Sequence, residues 1–304
     1  MKDIKSGATT LASYVYDLNS NLTTRTVNTS PSTHTTYLYD PLDRVTWMTH
    51  YLNGTSRGFN YGYYDDSNNR KYVRRTGSTL GDVGDVFSYD LADQAIGVQL
   101  NVATPQSTPP PPQTILYDSN GNRTSFHPYG PTETYTINNN SLNQYSTRNG
   151  TNAAYDAKGD LTTGFDGSTY GYDAQNRLTS ATKSGVAMSF KYDGLNRQVS
   201  RTIGGTTTYS VWDGWNLVAE YQNPATVLAG YVHGPTGLVK EMVNNRYYYQ
   251  DGSGSTSHLA SSTGQLLWWF RYDLDGNTDR LQFRRLSNQR QRLRSPSVHW
   301  PAMV

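Results

Sequence analysis

The chain has no cysteine among its 304 residues, and only three of its 24 acidic residues are glutamate. The first absence excludes a disulfide framework, a thiolate metal site and a cysteine nucleophile. The second, with charged residues at 16%, leaves few strong helix formers and excludes a disordered polyelectrolyte. No apolar run approaches the length of a membrane span: the longest cluster is Leu266-Leu267-Trp268-Trp269-Phe270, and the N-terminal MKDIKSGATTLASYVYD carries no hydrophobic signal core. The formal net charge of +2 is too small to point to a nucleic-acid partner. What the chain does contain is 25 tyrosines with much Thr, Ser, Asn and Gly, a strand-forming composition that predicts an all-β protein.

The organising feature is a Tyr-Asp dipeptide followed by a turn-like stretch. It recurs at Tyr16-Asp17, Tyr39-Asp40, Tyr64-Asp65, Tyr89-Asp90, Tyr117-Asp118, Tyr155-Asp156, Tyr172-Asp173, Tyr192-Asp193 and Tyr272-Asp273, with Trp212-Asp213 substituting once. A degenerate copy, NNSLNQY from Asn139, fills the widest gap. Four residues after each aromatic stand Asp43, Asn68, Asp93, Gly121, Gly159, Asn176, Asn196, Asn216 and Gly276, with Ser20 the exception. Gly, Asn and Asp are the residues that tolerate a positive φ. An Asp, two variable residues and such a residue predict a type I turn closed in the left-handed region, so each frame reads as a hairpin tip. The Asp can accept from the backbone N–H two residues on, an Asx-turn that fixes where the strand ends.

Aromatic pairs spaced by two, such as Tyr37/Tyr39, Phe87/Tyr89 and Phe190/Tyr192, share a strand face. Leu22, Val45, Leu161 and Leu178 follow six residues after their tyrosines, behind polar neighbours, so one sheet face is apolar and the other wet. The expected architecture is a YD-repeat antiparallel β-hairpin ribbon forming a curved open sheet or partial β-shell, with more than half of residues 14 to 277 in strands. It divides into an N-terminal lead-in (1–13), repeats (14–103), a Pro-rich exposed loop (104–113), repeats (114–245), a distinct segment (246–277) and a basic, disordered or frame-shifted tail (278–304).

The ten in-frame copies resemble the YD repeats of the RHS/YD-repeat family, over about residues 14 to 277. RYYYQDGSGSTSHLASSTGQLLWWFRYDLDGNT, residues 246 to 278, is similar to the opening of the RHS repeat-associated core, with Gly252 and Ser253 where the family usually has His and an apolar residue. The resemblance implies a hollow β-shell that encloses a toxic C-terminal domain, secretion or a cell-surface location, and further repeats or toxin cargo as partners. Family cleavage segments of Asp-Pro-x-x-Gly type are absent, and the tail after Asn277 carries six arginines against one acid.

No chemistry-bearing constellation emerges. The histidines at 34, 50, 127, 233, 258 and 299 never fall at i,i+3 or i,i+4 spacing. The loops from Asp118 and Asp273 lack Glu at their twelfth positions, Tyr129 and Arg284, so they read as turns and not as calcium loops. Ser255, His258 and Asp251 match no nucleophile-elbow pattern. The carboxylates recur once per hairpin, which suggests capping and not an acid/base pair. No cofactor or metal is implied, and no enzymatic activity is expected. Trp215, Trp268 and Trp269 stand outside the aromatic alternation and are the candidate ligand-facing aromatics.

Two functional readings follow: a non-enzymatic shell segment of an RHS-type toxin, and a surface adhesin or carbohydrate-binding repeat protein. The start in mid-repeat suggests a fragment. About 24 strands at ~4.8 Å spacing would close into a ring with a lumen near ~27 Å, too narrow for a 100-residue cargo about 33 Å across. An open sheet with exposed edges, prone to pair with further repeats, is therefore expected.

Overall fold

The structure, a computed structural model, describes residues 2–77, 82–127, 130–138, 142–272 and 278–282. Among these residues there are 28 strands and no helix, and strands occupy more than half of residues 14 to 277. Strand order in each of three sheets is the order of the sequence. The first sheet holds β1 (Lys2–Ser6), β2 (Thr9–Tyr16), β3 (Leu22–Val27), β4 (Thr33–Tyr39), β5 (Val45–Leu52), β6 (Thr55–Tyr63), β7 (Arg70–Thr76), β8 (Val83–Tyr89) and β9 (Ala95–Val102). The second holds β10 (Ile115–Tyr117), β11 (Arg123–Phe126), β12 (Glu133–Ile137), β13 (Tyr145–Arg148) and β14 (Thr151–Asn152).

The third sheet runs through β15 (Ala154–Tyr155), β16 (Leu161–Thr163), β17 (Thr169–Tyr172), β18 (Leu178–Lys183), β19 (Val186–Tyr192), β20 (Gln198–Ile203), β21 (Thr206–Asp213) and β22 (Asn216–Asn223). It continues with β23 (Thr226–Gly234), β24 (Gly237–Glu241), β25 (Arg246–Gln250), β26 (Thr256–Ala260), β27 (Leu266–Tyr272) and β28 (Thr278–Gln282). No ladder joins the first and last strand of any sheet among the described residues, so all three are open.

Two compact units divide the chain. Unit 1 is Met1–Tyr61, Arg74–Asp82 and Gly230–Val304; unit 2 is Gly62–Val73 and Val83–Ala229. In unit 1 the N-terminal strands and the C-terminal strands form two layers around a shared core. Val27 and Leu52 pack with Tyr247, Tyr249, Ala260 and Leu266, and Ala12 and Tyr14 pack with Val239. A fully buried Val or Leu among them contributes about 1.5–3 kcal/mol. Backbone bonds from Asn53 N to Gly264 O (2.9 Å) and from Ser30 N to Ser262 O (3.0 Å) tie the layers together.

In unit 2 the buried face is built from Val86, Val98, Ile115, Phe126 and Phe190. The Pro-rich run 104–113 is a loop with most of its residues exposed, and it is pinned to the sheet at two points. Pro105 and Pro111 are buried, Ser88 Oγ donates to Pro111 O (2.9 Å), and Thr114 N bonds to Ile96 O (2.8 Å). Proline leaves no N–H to satisfy, so the run can lie across the sheet and offer only carbonyls. Gly97 is required beneath it, since a Cβ there would stand 2.5 Å from Pro112 O.

Strands also form within the lead-in and the tail. The lead-in is strand from Lys2 onward, and the first five residues assigned to the disordered tail, Thr278–Gln282, form β28, antiparallel to β27. The rest of that tail lies outside the described residues.

Candidate functional site

The repeated hairpin tip is built by its Asp. Asp17 Oδ1 accepts from Asn19 N (2.9 Å) and also from Asn21 N (2.8 Å), so one oxygen holds both the Asx-turn and the start of the outgoing strand. The same pair of bonds recurs at Asp40, Asp90, Asp118, Asp156, Asp173 and Asp193. The closing residue takes a positive φ at Ser20, Asp43, Asp93, Gly121, Gly159, Asn176 and Asn196. The ladder register shifts beside the tyrosine, as between Lys191 and Tyr192. At Asp118 the carboxylate is fully committed to its own loop, Oδ2 taking Asn122 Nδ2 at 2.9 Å. These bonds, led by that from the Asn122 side chain, hold the carboxyl below its ordinary value.

Two frames depart from the expected turn. At Tyr64 the loop is one residue longer, Tyr64 N bonding to Asn69 O (3.1 Å), and Asn68 has no positive φ. At Trp212 the turn is a two-residue one with Gly214 at φ 55°, and Asn216 pairs with Asp213 as ladder residue. Asp273 and Gly276 lie outside the described residues, as does most of the turn of the degenerate copy at Asn139. Sequence reading also missed three tips of this backbone pattern: Gln250-Asp251, where Gly254 closes the turn; Ser261, whose hydroxyl replaces the Asp and where Gly264 closes it; and Gly164, where Gly167 closes the turn and Asp166 Oδ1 accepts from Ser168 N (3.0 Å).

Two sets of links pass from one frame to the next. The tyrosine hydroxyls of Tyr39, Tyr117, Tyr155, Tyr192 and Tyr272, and the Trp212 indole N–H, donate at 2.7–2.9 Å to Leu22, Ala95, Tyr145, Leu178, Thr256 and Gln198 O. Each acceptor opens the outgoing strand of the frame before. The position therefore demands a donor as well as a ring, and the signal was visible: it is Tyr or Trp throughout, while Phe87 and Phe190 stand two residues earlier. In the second set, the fifth residue after the aromatic reaches the turn of the next frame. Examples are Asn21 Nδ2 to Asp43 Oδ1 (2.6 Å), Asn69 Nδ2 to Asp93 Oδ1 (2.6 Å), Arg177 Nη1 to Asn196 Oδ1 (3.2 Å) and Arg197 Nη1 to Gly214 O (2.7 Å).

A second polar cluster is buried between the two layers of unit 1. Arg25, wholly buried, donates to Gln250 Oε1 (3.2 Å) and Tyr248 O (2.9 Å) and lies 5.5 Å from the Tyr249 ring centroid. Tyr249 OH bonds to Thr33 Oγ1. His50 Nδ1 meets Thr35 Oγ1 (2.8 Å), its Nε2 lies 3.3 Å from Ser257 Oγ, and Ser257 Oγ is 3.0 Å from His258 Nδ1. The two imidazoles meet edge to face at 5.2 Å. Burial, then Arg57, holds His258 down to about 3; burial, then His258 and Arg25, holds His50 well below its ordinary value. Burial likewise pushes Tyr37 up to about 12.

Ser255, His258 and Asp251 are not brought together: Asp251 caps its own turn, and His258 faces Ser257 and His50. Trp215 is exposed at its hairpin tip. Trp268 shares a hollow of about 440 Å³ with Arg246, Tyr248 and Phe270, while Trp269 lies on the opposite face of β27 beside His258 and Arg57. Among the described residues no three His, Asp or Glu side chains converge on a metal-sized site, and no helix is long and apolar enough to cross a membrane.

The fold is similar to that in the Photorhabdus luminescens Tc holotoxin pore (TM-score 0.66, 16% identity) and in the crystal structure of TcdB2-TccC3-Cdc42 (TM-score 0.69, 17% identity). Each match covers 88% of this chain but only 15% and 16% of the other. The tRNA3(Ser)-specific nuclease WapA of Bacillus spizizenii is 27% identical over 172 residues, 53% of this chain and 7% of that protein. The chain thus spans a small part of the length of these relatives. Residues 86–280, more than half of the chain, match the family model Teneurin YD-shell, and with its repeated tips and sequential antiparallel ribbon the chain belongs to that YD-shell family.

Proposed function

We propose that the chain is a non-enzymatic wall segment of an RHS-type shell that encloses a toxic C-terminal domain and helps deliver it outside the producing cell. The observation that carries this reading is the frame-to-frame linkage. Most tips are capped internally by an Asp, and many are tied to a neighbouring frame by a tyrosine hydroxyl or a fifth-residue side chain, so the ribbon extends by adding frames, as a wall must. The carboxylates are spent on turn N–H groups and the interior histidines on neighbouring hydroxyls, which supports a structural and not a catalytic role. The nuclease activity in the name of the Bacillus relative is read as belonging to the part of that protein outside the match. A surface adhesin has less support, because Trp268 and Trp269 face opposite sides of one strand and form no stacking row.

Chemical cross-linking in the source cells, followed by mass spectrometry, tests the proposal. The expected product joins this chain to repeat-bearing polypeptide or to a toxic domain. Cross-links only to cell-wall or membrane components would overturn it.

A further inference from the structure

We propose that the buried histidine pair His50 and His258 makes the seam between the two layers of unit 1 acid-labile, so that mild acid separates β25–β27 from β3–β6 while the ladder of unit 2 keeps its structure. The inference concerns the chain itself and goes beyond its role as a wall.

The geometry places one ring on each layer, His50 on β5 and His258 on β26, in mutual contact at 5.2 Å and bridged by Ser257 Oγ. The groups facing them come from every packed element. They are Arg25 on β3, Thr35 on β4, Arg57 and Phe59 on β6, Arg75 on β7, Tyr249 on β25, Ser257 on β26 and Trp269 on β27. The charged members are all guanidinium groups, and no Asp or Glu stands among these described neighbours to compensate an imidazolium. Protonating either ring would put a further cation beside an arginine in a buried site.

The sign follows from linkage. Both histidines titrate lower in the closed seam than when exposed, so the stabilisation they allow is complete above the ordinary histidine range and is lost as pH falls through it toward the closed-state values. With an exposed value of about 6.5 and a closed value of about 3, His258 alone raises the open-to-closed ratio about 30-fold between pH 7.5 and pH 5, and His50 acts in the same direction.

Hydrogen exchange of the full chain, corrected for intrinsic rates, reads this by segment. Protection in β5 and β26 should fall by at least that factor between pH 7.5 and pH 5, while β19 and β20 hold theirs. The double variant His50→Gln, His258→Gln should lose the pH dependence. A flat seam, equal loss in β19 and β20, or an unchanged pH dependence in the variant would each overturn the proposal. Imidazole NMR of the parent needs no variant. Two rings still neutral in the closed protein at pH 5.5 support the seam, and ordinary titration of all observable rings refutes it.

Discussion

Asn196 isolates what the closing residue of a tip contributes. Its φ is 65°, its N–H donates to Asp193 O (3.2 Å), and its side-chain oxygen receives Arg177 Nη1 (3.2 Å). Replacing it with Val forces a β-branched side chain into the left-handed region, at a cost of about 1–2 kcal/mol. It also removes an exposed frame-to-frame bond that contributes at most ~1 kcal/mol, so Asn196→Val should destabilise by about 2 kcal/mol. Asn196→Gly loses the same bond but accepts the backbone freely, its gain being offset by the flexibility of glycine in the unfolded chain. The difference between the variants therefore reports the backbone term alone. Repeat arrays open locally, so exchange of the amides in β19 and β20 is the assay. Val should speed it about 30-fold and Gly by less than about fivefold. Equal exchange in both variants would refute the turn argument.

Other outcomes follow from the same geometry. Tyr192→Phe keeps the ring but strips a donor from Leu178 O, and should cost about 1 kcal/mol in local opening of β18 and β19; no change would show that the hydroxyl is idle. Gly62→Ala would set a Cβ 2.0 Å from the Tyr72 ring, and should lower the denaturation midpoint by the equivalent of about 1–3 kcal/mol. Gly97→Ala should do the same by displacing the Pro-rich run, visible as faster proteolysis within residues 104–113. Incubation with tRNA should leave the substrate intact, and cleavage abolished by a single His or Asp substitution would overturn the non-enzymatic reading.

Tips were legible because their chemistry is local: an Asp oxygen reaches two and four residues along its own chain, and a positive φ is written in Gly, Asn or Asp. The two misread turns failed for local reasons too. The doubled Asp65-Asp66 permits a longer loop, and Gly214 closes the Trp212 hairpin before Asn216 can. The seam was not legible. Arg25 and Gln250 are 225 positions apart, and many ladder faces carry equivalent apolar alternation, so nothing local selects which layers meet. A partial signal existed at His50, which shares its strand face with Met48 and Leu52, all three buried. A histidine in an apolar row is either paired or costly, and here it is paired with another histidine.

The frames at Asp251 and Ser261 show which part of the tip is kept when the aromatic is lost. At Gln250-Asp251 the aromatic is gone, yet Asp251 Oδ1 still accepts from Ser253 N and Ser255 N, and Gly254 still closes the turn. At Ser261 the carboxylate is gone as well, but the hydroxyl takes the same two N–H groups and Gly264 takes the positive φ. What persists in these two frames is an oxygen for the turn N–H groups and a residue that takes φ above zero, which pair the backbone polar groups at the tip and keep it unstrained. The tyrosine is a different kind of element. It acts between frames, so it can be dropped where another contact holds the hairpin: Gln250 sits in the buried seam, its amide donating to Leu238 O and its oxygen receiving Arg25. The repeat thus changes its partner at the point where the ribbon meets the opposite layer of unit 1, and the cap stays the same.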